Sequence, residues 1–370
     1  MNPFVYGRVV SKGEFCPRLL LESHLKSYIL SNQNVLVEGE RRVGKTSLIC
    51  ETIRKIKKCH LLYVDLLEIK DNDELCRRII KSLLTMSQTD HLFQNIFKSL
   101  ANMKPVLSID PLTGLPSVTI GMDSPLQPNS LEELLNLIYI QSAHKKIVVV
   151  FDEFQDILNL PNSSTVLSIL RSRIQFQREI TYVFSGSIRN KLNDIFSSPD
   201  SPFFKSAITI SVGALEKDEF TGFLENKFTS GGRTIKSELL DRIFSISQDN
   251  PGDIQQLCGA LWECSDNGAS VDNTYLSSAM SRIFGMEKKG YEAHLSRLSG
   301  QQQRCLIGLA YAGGKAPLSA AFLKSSGIRQ PSSVQKTLGR LVEMKIIYRS
   351  QDEYKFTNPF FKAWLVAENM

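Results

Sequence analysis

The chain has 370 residues, with 44 Lys and Arg against 38 Asp and Glu and a net charge of +6 at neutral pH. Hydrophobic residues make up 42% and charged residues 22%, values that exclude a disordered, collagen-like or coiled-coil chain. At roughly 100–200 residues per domain, two or three domains are expected, each able to bury a core.

Seven Cys is an odd number and none stands in a CxxC pair, so neither a disulfide framework nor a zinc knuckle is expected. No apolar run approaches 18 residues and the N-terminus lacks an apolar leader, which reads as a cytoplasmic protein with no membrane span. The placement of the charge says more than its sum. Residues 290–370 hold eleven Lys and Arg against five acids, and the remaining 289 residues are balanced. The segment suits an anionic partner or is a solvated basic face.

Short β-branched runs alternate with longer helical stretches, the pattern of βαβ units and a parallel sheet. Residues 34–38 (NVLVE) read as a first strand, 46–57 as a helix, 61–66 (LLYVDL) as a second strand and 73–86 as a helix. Residues 105–128 hold five of the fourteen prolines. There VLSI and SVTI flank Asp110-Pro-Leu-Thr-Gly114 as a hairpin or ordered loop, either a plain connection or a functional excursion. Residues 131–142 read as a helix and 146–151 (KIVVVF) as a third strand covered on both faces. A helix over 163–177 leads to a fourth strand, 181–185 (TYVFS), and 208–212 (ITISV) is a fifth. Residues 214–285 read as helices only, with a turn at Asp249-Asn250-Pro251-Gly252. Boundaries near 213 and 288 divide the chain into 1–213, 214–287 and 288–370.

Gly39-Glu-Arg-Arg-Val-Gly44-Lys45-Thr46 matches GxxxxGK[ST]. It follows the first strand directly and opens a helix, the context that phosphate binding requires. The glycines let the backbone curl so that successive N–H groups face the phosphates, and the helix N-terminus adds partial positive charge. Lys45 places a charge on the β- and γ-phosphates, Thr46 offers a hydroxyl to Mg²⁺, and Ser47 lies near the α-phosphate. Gly39, Arg42, Val43, Gly44, Lys45, Thr46 and Ser47 are the candidate nucleotide contacts.

Such a loop needs a second carboxylate on a neighbouring strand. In Ile147-Val-Val-Val-Phe151-Asp152-Glu153, five apolar residues carry the strand through the core, and Asp152 emerges at its C-terminal edge, where open α/β sheets bind ligands. Asp152 is, with Thr46, the candidate metal partner. Glu153 is the candidate to orient or deprotonate an attacking water. Strand four ends at Ser185-Gly186-Ser187-Ile188-Arg189-Asn190. Ser185 or Ser187 could sense a γ-phosphate or cap a helix; Ser187 is carried forward as the candidate, ahead of Arg189 and Asn190. Arg171, Arg173 and Arg178 on the preceding helix read as solvated charges or as arginine fingers toward a neighbouring subunit of a homo-oligomer. The five His (24, 60, 91, 144, 294) show no metal spacing, and Cys258 and Cys264 read as fillers.

In the basic segment, residues 301–312, 318–325 and 331–344 read as helices broken by Gly313-Gly314 and Gly327. On the third, Val334, Leu338, Leu341 and Val342 face inward, and Ser332, Ser333, Gln335, Lys336 and Arg340 face out. Residues 346–349 and 354–356 then flank a polar turn before a last helix. This is a winged helix-turn-helix pattern. The outward residues of the third helix would enter the major groove of double-stranded DNA, with Lys345, Arg349 and Lys355 on phosphates. Winged helices also dock proteins, so a protein partner is the alternative.

GERRVGKTSLI resembles the phosphate loop of the archaeal-type ATPase family, in the STAND branch of the AAA+-related P-loop ATPases. Phe4-Val-Tyr-Gly7-Arg8 looks like that family's N-terminal box, which lies against the adenine. FDEFQDI resembles its acidic strand motif, and Asn250-Pro251-Gly252 its lid motif, with a proline in place of the sensor arginine of typical AAA+ proteins. The resemblance implies an α/β fold, an ASCE P-loop NTPase core of three layers with a parallel sheet of order 5-1-4-3-2. An all-helical lid and a C-terminal winged-helix domain follow. ATP and Mg²⁺ would be bound with Gly7, Arg8 and Pro251 beside the nucleotide. The resemblance settles the chemistry and not the purpose; with the basic winged helix added, the expectation is a slow ATPase that couples nucleotide state to DNA binding, or a regulatory ATPase whose winged helix docks a protein. A nucleotide kinase shares the phosphate loop, but the helical and basic modules count against it.

Overall fold

The structure, a computed structural model, describes residues 1–87, 105–109, 116–120, 130–143, 145–187, 189–350 and 352–368. It divides into two compact units, one of residues 9–213 and one of residues 1–8 with 214–370. Among the described residues no helix is long and apolar enough to cross a membrane.

In the first unit α1 (Leu19–Leu30), β1 (Val35–Glu38), α2 (Lys45–Arg54), β2 (Cys59–Asp65) and α3 (Asn72–Ser87) lead to the short strands β3 (Pro105–Ile109) and β4 (Pro116–Ile120). Then come α4 (Ser130–Ser142), β5 (Lys146–Asp152), α5 (Ser163–Ile174), β6 (Thr181–Gly186), α6 (Arg189–Phe196) and β7 (Ile208–Ser211). Five strands form a parallel sheet of order β2-β5-β6-β1-β7. Counting only sheet strands along the chain, this is 5-1-4-3-2, with the fourth strand between the first and third.

The continuous apolar run of β5 follows from its position. Side chains alternate across a strand, and both faces here are covered. Ile147, Val149 and Phe151 share one face with Leu62, Val64, Tyr182 and Phe184 and pack against residues of α3, α4 and α5. Val148 and Val150 share the other with Val35, Val37 and Val183, against Leu25, Ile29, Leu48 and Ile49 of α1 and α2. The result is helix, sheet, helix, with each buried aliphatic side chain contributing about 1.5–3 kcal/mol. Phe154, just past β5, is fully buried among Phe184, Phe196 and Phe203, its ring 4.6 Å from that of Phe184. That anchor fixes the chain where it turns out of the sheet.

Two readings change here, and a third is narrowed. Helix α1 has no counterpart in the sequence reading, because exposed Leu19, Leu20 and Leu30 blur the stripe that Leu25 and Ile29 bury. Arg178 is not on a helix: α5 ends at Ile174 and the chain turns, with Gln177 N–H donating to the Ile174 carbonyl. Strands β3 and β4 pair antiparallel, as a hairpin requires; its turn, Asp110 to Gly114, lies outside the described residues, as do His91 and His144.

The second unit runs α7 (Lys217–Ser230), β8 (Thr234–Ile235), α8 (Ser237–Ile246), α9 (Pro251–Cys264), β9 (Ser270–Val271) and α10 (Leu276–Ser296). It ends with α11 (Gly300–Ala312), α12 (Ala320–Ser326), α13 (Pro331–Glu343), β10 (Ile347–Ser350), β11 (Glu353–Phe356) and α14 (Pro359–Glu368). Residues 214–285 are therefore not helices only. β8 and β9 pair in parallel, and two residues each is too short for an alternation to show. Residues 1–8 belong to this unit: Phe4 is buried against Phe228 and Trp262, and Lys227 Nζ donates to the Pro3 carbonyl at 2.8 Å.

On α13 the buried stripe is Val334, Thr337, Leu338 and Leu341. Val342, expected inward, is 37% exposed. It stands one residue, about 100° of arc, beyond Leu341, and Thr337 completes the i, i+3, i+4, i+7 pattern instead. The hairpin β10–β11 is antiparallel, and Tyr354 N–H donates to the Gly314 carbonyl at 3.0 Å. A Cβ at Gly314 would lie 1.6 Å from the Tyr354 oxygen, so this approach requires glycine.

Candidate functional site

The phosphate loop joins β1 to α2. Arg42 (φ 64°) and Gly44 (φ 91°) both take the left-handed conformation, the backbone geometry that aims successive N–H groups into one concavity. No side chain caps the N-terminus of α2. Gly39 is held against the chain leaving β7, where a Cβ would sit 2.3 Å from the Val212 oxygen.

Lys45 is buried, and its ammonium donates to the carbonyls of Gly39 (3.1 Å) and Glu40 (2.8 Å). Burial holds its pKa below the usual lysine value, opposed by the nearby Glu153 and Asp152 carboxylates. Ser47 accepts from the Val10 N–H at 3.2 Å. Arg18, which no motif singled out, braces the loop from below. Its guanidinium donates to the Val43 carbonyl at 2.6 Å and the Gly213 carbonyl at 2.8 Å.

Asp152 ends β5 and is buried. Its Oδ2 accepts from Thr46 Oγ1 at 2.7 Å and from Tyr63 Oη at 2.6 Å, and its Oδ1 from the Glu153 N–H at 3.0 Å. Burial, then the Asp152 carboxylate, drives the Tyr63 pKa up, so its hydroxyl stays a donor. Cys50, on the same helix as Thr46, is pushed up to about 11, by burial first and Asp152 second.

Glu153 follows in the left-handed conformation (φ 50°) and takes different side-chain partners from Asp152. Its Oε2 accepts from Ser187 Oγ at 3.0 Å and Gln155 Nε2 at 2.5 Å. Gln155 is buried against Gly186, where a Cβ would fall 2.1 Å from its Oε1. The structure thus brings Lys45, Thr46, Asp152, Glu153 and Ser187 into one cluster at the C-terminal edge of the sheet. Sequence reading missed the roles of Arg18 and Tyr63, which bear no motif, and of Gln155, which lies inside the run FDEFQDI but was given no role of its own.

Ser185 is fully buried in β6, and its hydroxyl has no partner among the described residues. The side chains of Arg189 and Asn190, with Ile188, lie outside the described residues. Arg171 donates to the Pro202 carbonyl at 3.1 Å, Arg173 pairs with Glu132, and Arg178 is exposed.

In the second unit Gly7 (φ 75°) and Arg8 are exposed. Pro251 is buried at the first turn of α9, behind the Asn250 cap that accepts from the Gly252 N–H. On α13, Ser332, Gln335, Lys336 and Arg340 are exposed, and Ser333 is half-buried with its carbonyl taken by Thr337 Oγ1. Arg340 pairs with Glu343 at 3.3 Å. Arg349 is exposed on β10, and Lys355 meets Glu353 at 3.4 Å.

Residues 29–196 match the family model of an AAA domain, and residues 289–367 match one described as "Probable winged helix domain". The chain carries an AAA domain and a C-terminal winged helix domain. Among solved structures it is similar to a Walker-type ATPase of Pyrococcus abyssi, at 19% identity over 99% of this chain and 100% of that one, with a TM-score of 0.65. The Aeropyrum pernix Orc1 protein in complex with DNA matches at 12% identity over 96% and 95%, TM-score 0.52. The Orc2 protein of the same organism, in ADPNP–ADP complexes, matches at 13% over 95% and 93%, TM-score 0.52. At these identities the likeness is one of fold. No curated protein matches the chain. The AAA domain has the parallel α/β P-loop architecture expected from the sequence, and a winged helix domain follows it at the C-terminal end.

Proposed function

We propose that the protein is an ATP-binding and ATP-hydrolysing cytoplasmic switch of the AAA+/STAND type that couples nucleotide state to DNA binding through its winged helix. The parts of the switch are a core within 1–213, of which residues 1–8 belong to the compact unit that holds 214–370, a lid over 214–287 and the winged helix over 288–370. The observation that carries the reading is the 2.7 Å contact between the Thr46 hydroxyl and the Asp152 carboxylate, 106 residues apart, at the start of α2.

The residues fit both a triphosphate and its metal. Thr46 and Asp152 are hard oxygen donors of the kind Mg²⁺ prefers, and they are the residues that would hold it. Bound there, the ion supplies charge neutralisation on phosphate oxygens. Lys45 is a desolvated ammonium resting on two backbone carbonyls, so an anionic oxygen is a stronger acceptor for it than those it has. The N–H groups from Gly39 through Ser47, Arg42 and Val43 among them, face the phosphates. Gly7, Arg8 and Pro251 are the residues that the family resemblance assigns to the rest of the nucleotide. Glu153, held by Ser187 and Gln155, takes a proton from the attacking water.

The exposed Ser332, Gln335, Lys336 and Arg340, with Ser333, form the DNA-facing side of α13, and Arg349 reaches a phosphate from the wing. The A. pernix Orc1 protein, solved in complex with DNA, supports this reading by likeness of fold. Exposed Val342 and Met344 at the end of the same helix favour a second reading, docking of a protein partner. Calorimetric titration of the full chain with Mg²⁺–ATP, and DNA retention across a salt series with and without nucleotide, test the proposal. Heat of binding and a DNA affinity that changes with nucleotide are expected. No heat overturns the switch, and no DNA retention at low salt turns the winged helix to the docking reading.

A further inference from the structure

The geometry points to Tyr63 as a positioning residue that fixes the carboxylate of Asp152, an assignment that rests on the phosphate-site reading above. Strands β2 and β5 pair in parallel, with Tyr63 opposite Val150 and Asp65 opposite Asp152. Tyr63 is therefore the diagonal neighbour of Asp152. Tyr63 also packs on the cluster that holds Val148 and Val150, on the sheet face that α2 covers. An aromatic side chain is long enough to span that diagonal, and the Tyr63 hydroxyl ends 2.6 Å from Oδ2.

Three elements thus converge on one carboxylate. Helix α2 gives the Thr46 hydroxyl, β2 the Tyr63 hydroxyl, and the turn after β5 the Glu153 N–H. Two donors share Oδ2, and the third holds Oδ1, so rotation of the carboxylate breaks charge-assisted hydrogen bonds on both sides. The Tyr63 backbone is itself tied down, because Ser82 Oγ on α3 donates to its carbonyl at 2.6 Å. Asp65, directly opposite Asp152, does none of this: its carboxylate accepts from the Leu67 N–H at 2.9 Å. Donors behind a metal-binding carboxylate set its orientation and hence the affinity of the site. Tyr63 fills that role here, while Lys45 and the loop N–H groups hold the phosphates without it.

The test is ADP affinity of the full chain by titration calorimetry, once in excess EDTA and once in Mg²⁺. Tyr63→Phe keeps the ring and removes only the hydroxyl. It is expected to leave the EDTA affinity unchanged and to cut the gain in affinity on adding Mg²⁺ by roughly tenfold. Tyr63→Leu, which also lacks the hydroxyl, must lose the same gain, and it carries the test if the first variant folds poorly. A wild-type Mg²⁺ gain in either folded variant overturns the role of Tyr63 and leaves the phosphate site standing. Wild-type protein that binds ADP in neither condition overturns the phosphate site, and the role of Tyr63 with it.

Discussion

The end of β5 and the outer face of α13 present function in opposite ways. At the first, Asp152 is buried with three donors on it, and Glu153 has two. Buried polar groups must be satisfied, so each partner is fixed by the fold and has a chemical meaning. At the second, Ser332, Gln335, Lys336 and Arg340 stand in solvent, where an ion pair such as Arg340–Glu343 contributes at most about 1 kcal/mol. Nothing around them dictates one geometry. A convergent site states its chemistry through its contacts, while an exposed face states only a sign of charge.

The largest effect expected at the convergent site is that of Glu153→Gln. The amide keeps the shape and removes the base, so the single-turnover rate of ATP hydrolysis falls by about 10²–10⁴ while ATP still binds. Hydrolysis at the wild-type rate would move the base elsewhere. Lys45→Ala comes next. It deletes the buried charge, and calorimetry should show nucleotide affinity lower by roughly 10–100-fold. Unaltered affinity would mean that the loop N–H groups alone hold the phosphates.

The same contrast explains what was legible in the sequence. Gly39 to Thr46 and Asp152-Glu153 could be read because each is a contiguous run whose residue types are demanded by one strand end. The order of the sheet came with the family resemblance. Tyr63 and Arg18 could not be read, because their contacts cross between strands or return from distant chain, and no local spacing records that; Gln155 stands two residues from Glu153 in the quoted run, but only the fold brings it against Gly186. The inward face of α13 was misread by one position, Val342 for Thr337. A hydroxyl counts as polar in a hydropathy pattern, yet Thr337 Oγ1 bonds back to the Ser333 carbonyl at 2.7 Å and accepts from Gln301 Nε2 at 2.9 Å, so it buries without an unmet polar atom. Strands β8 and β9 were missed because a pair of residues has no period.

On the exposed face the expected effects are smaller and are read through salt. If DNA lies along α13, Lys336→Ala weakens retention evenly across sequences and reduces the slope of log affinity against log salt by about 1. Arg340→Ala does the same if it meets a phosphate, and relaxes sequence preference if it meets a base. An unchanged slope in both variants would take the DNA off this helix.

The smallest expected effect, that of Val342→Ser measured against Leu341→Ala as its buried control, discriminates best between the two uses of that face. Leu341→Ala empties a fully buried position and should lower stability by about 2–5 kcal/mol in thermal or denaturant unfolding of the winged helix. Val342→Ser, one residue on, changes a side chain that is 37% exposed and should stay within about 0.5 kcal/mol. A loss comparable to that of Leu341→Ala would restore Val342 to the core and undo the assignment of the stripe. With stability held, Val342→Ser also divides the two partners. An electrostatic DNA contact is indifferent to an apolar side chain at the C-terminal end of the helix, so DNA retention and its salt slope should not move. A docked protein would cover Val342 and Met344 together, and removing one of them should weaken a captured partner while leaving the salt dependence of the complex as it was.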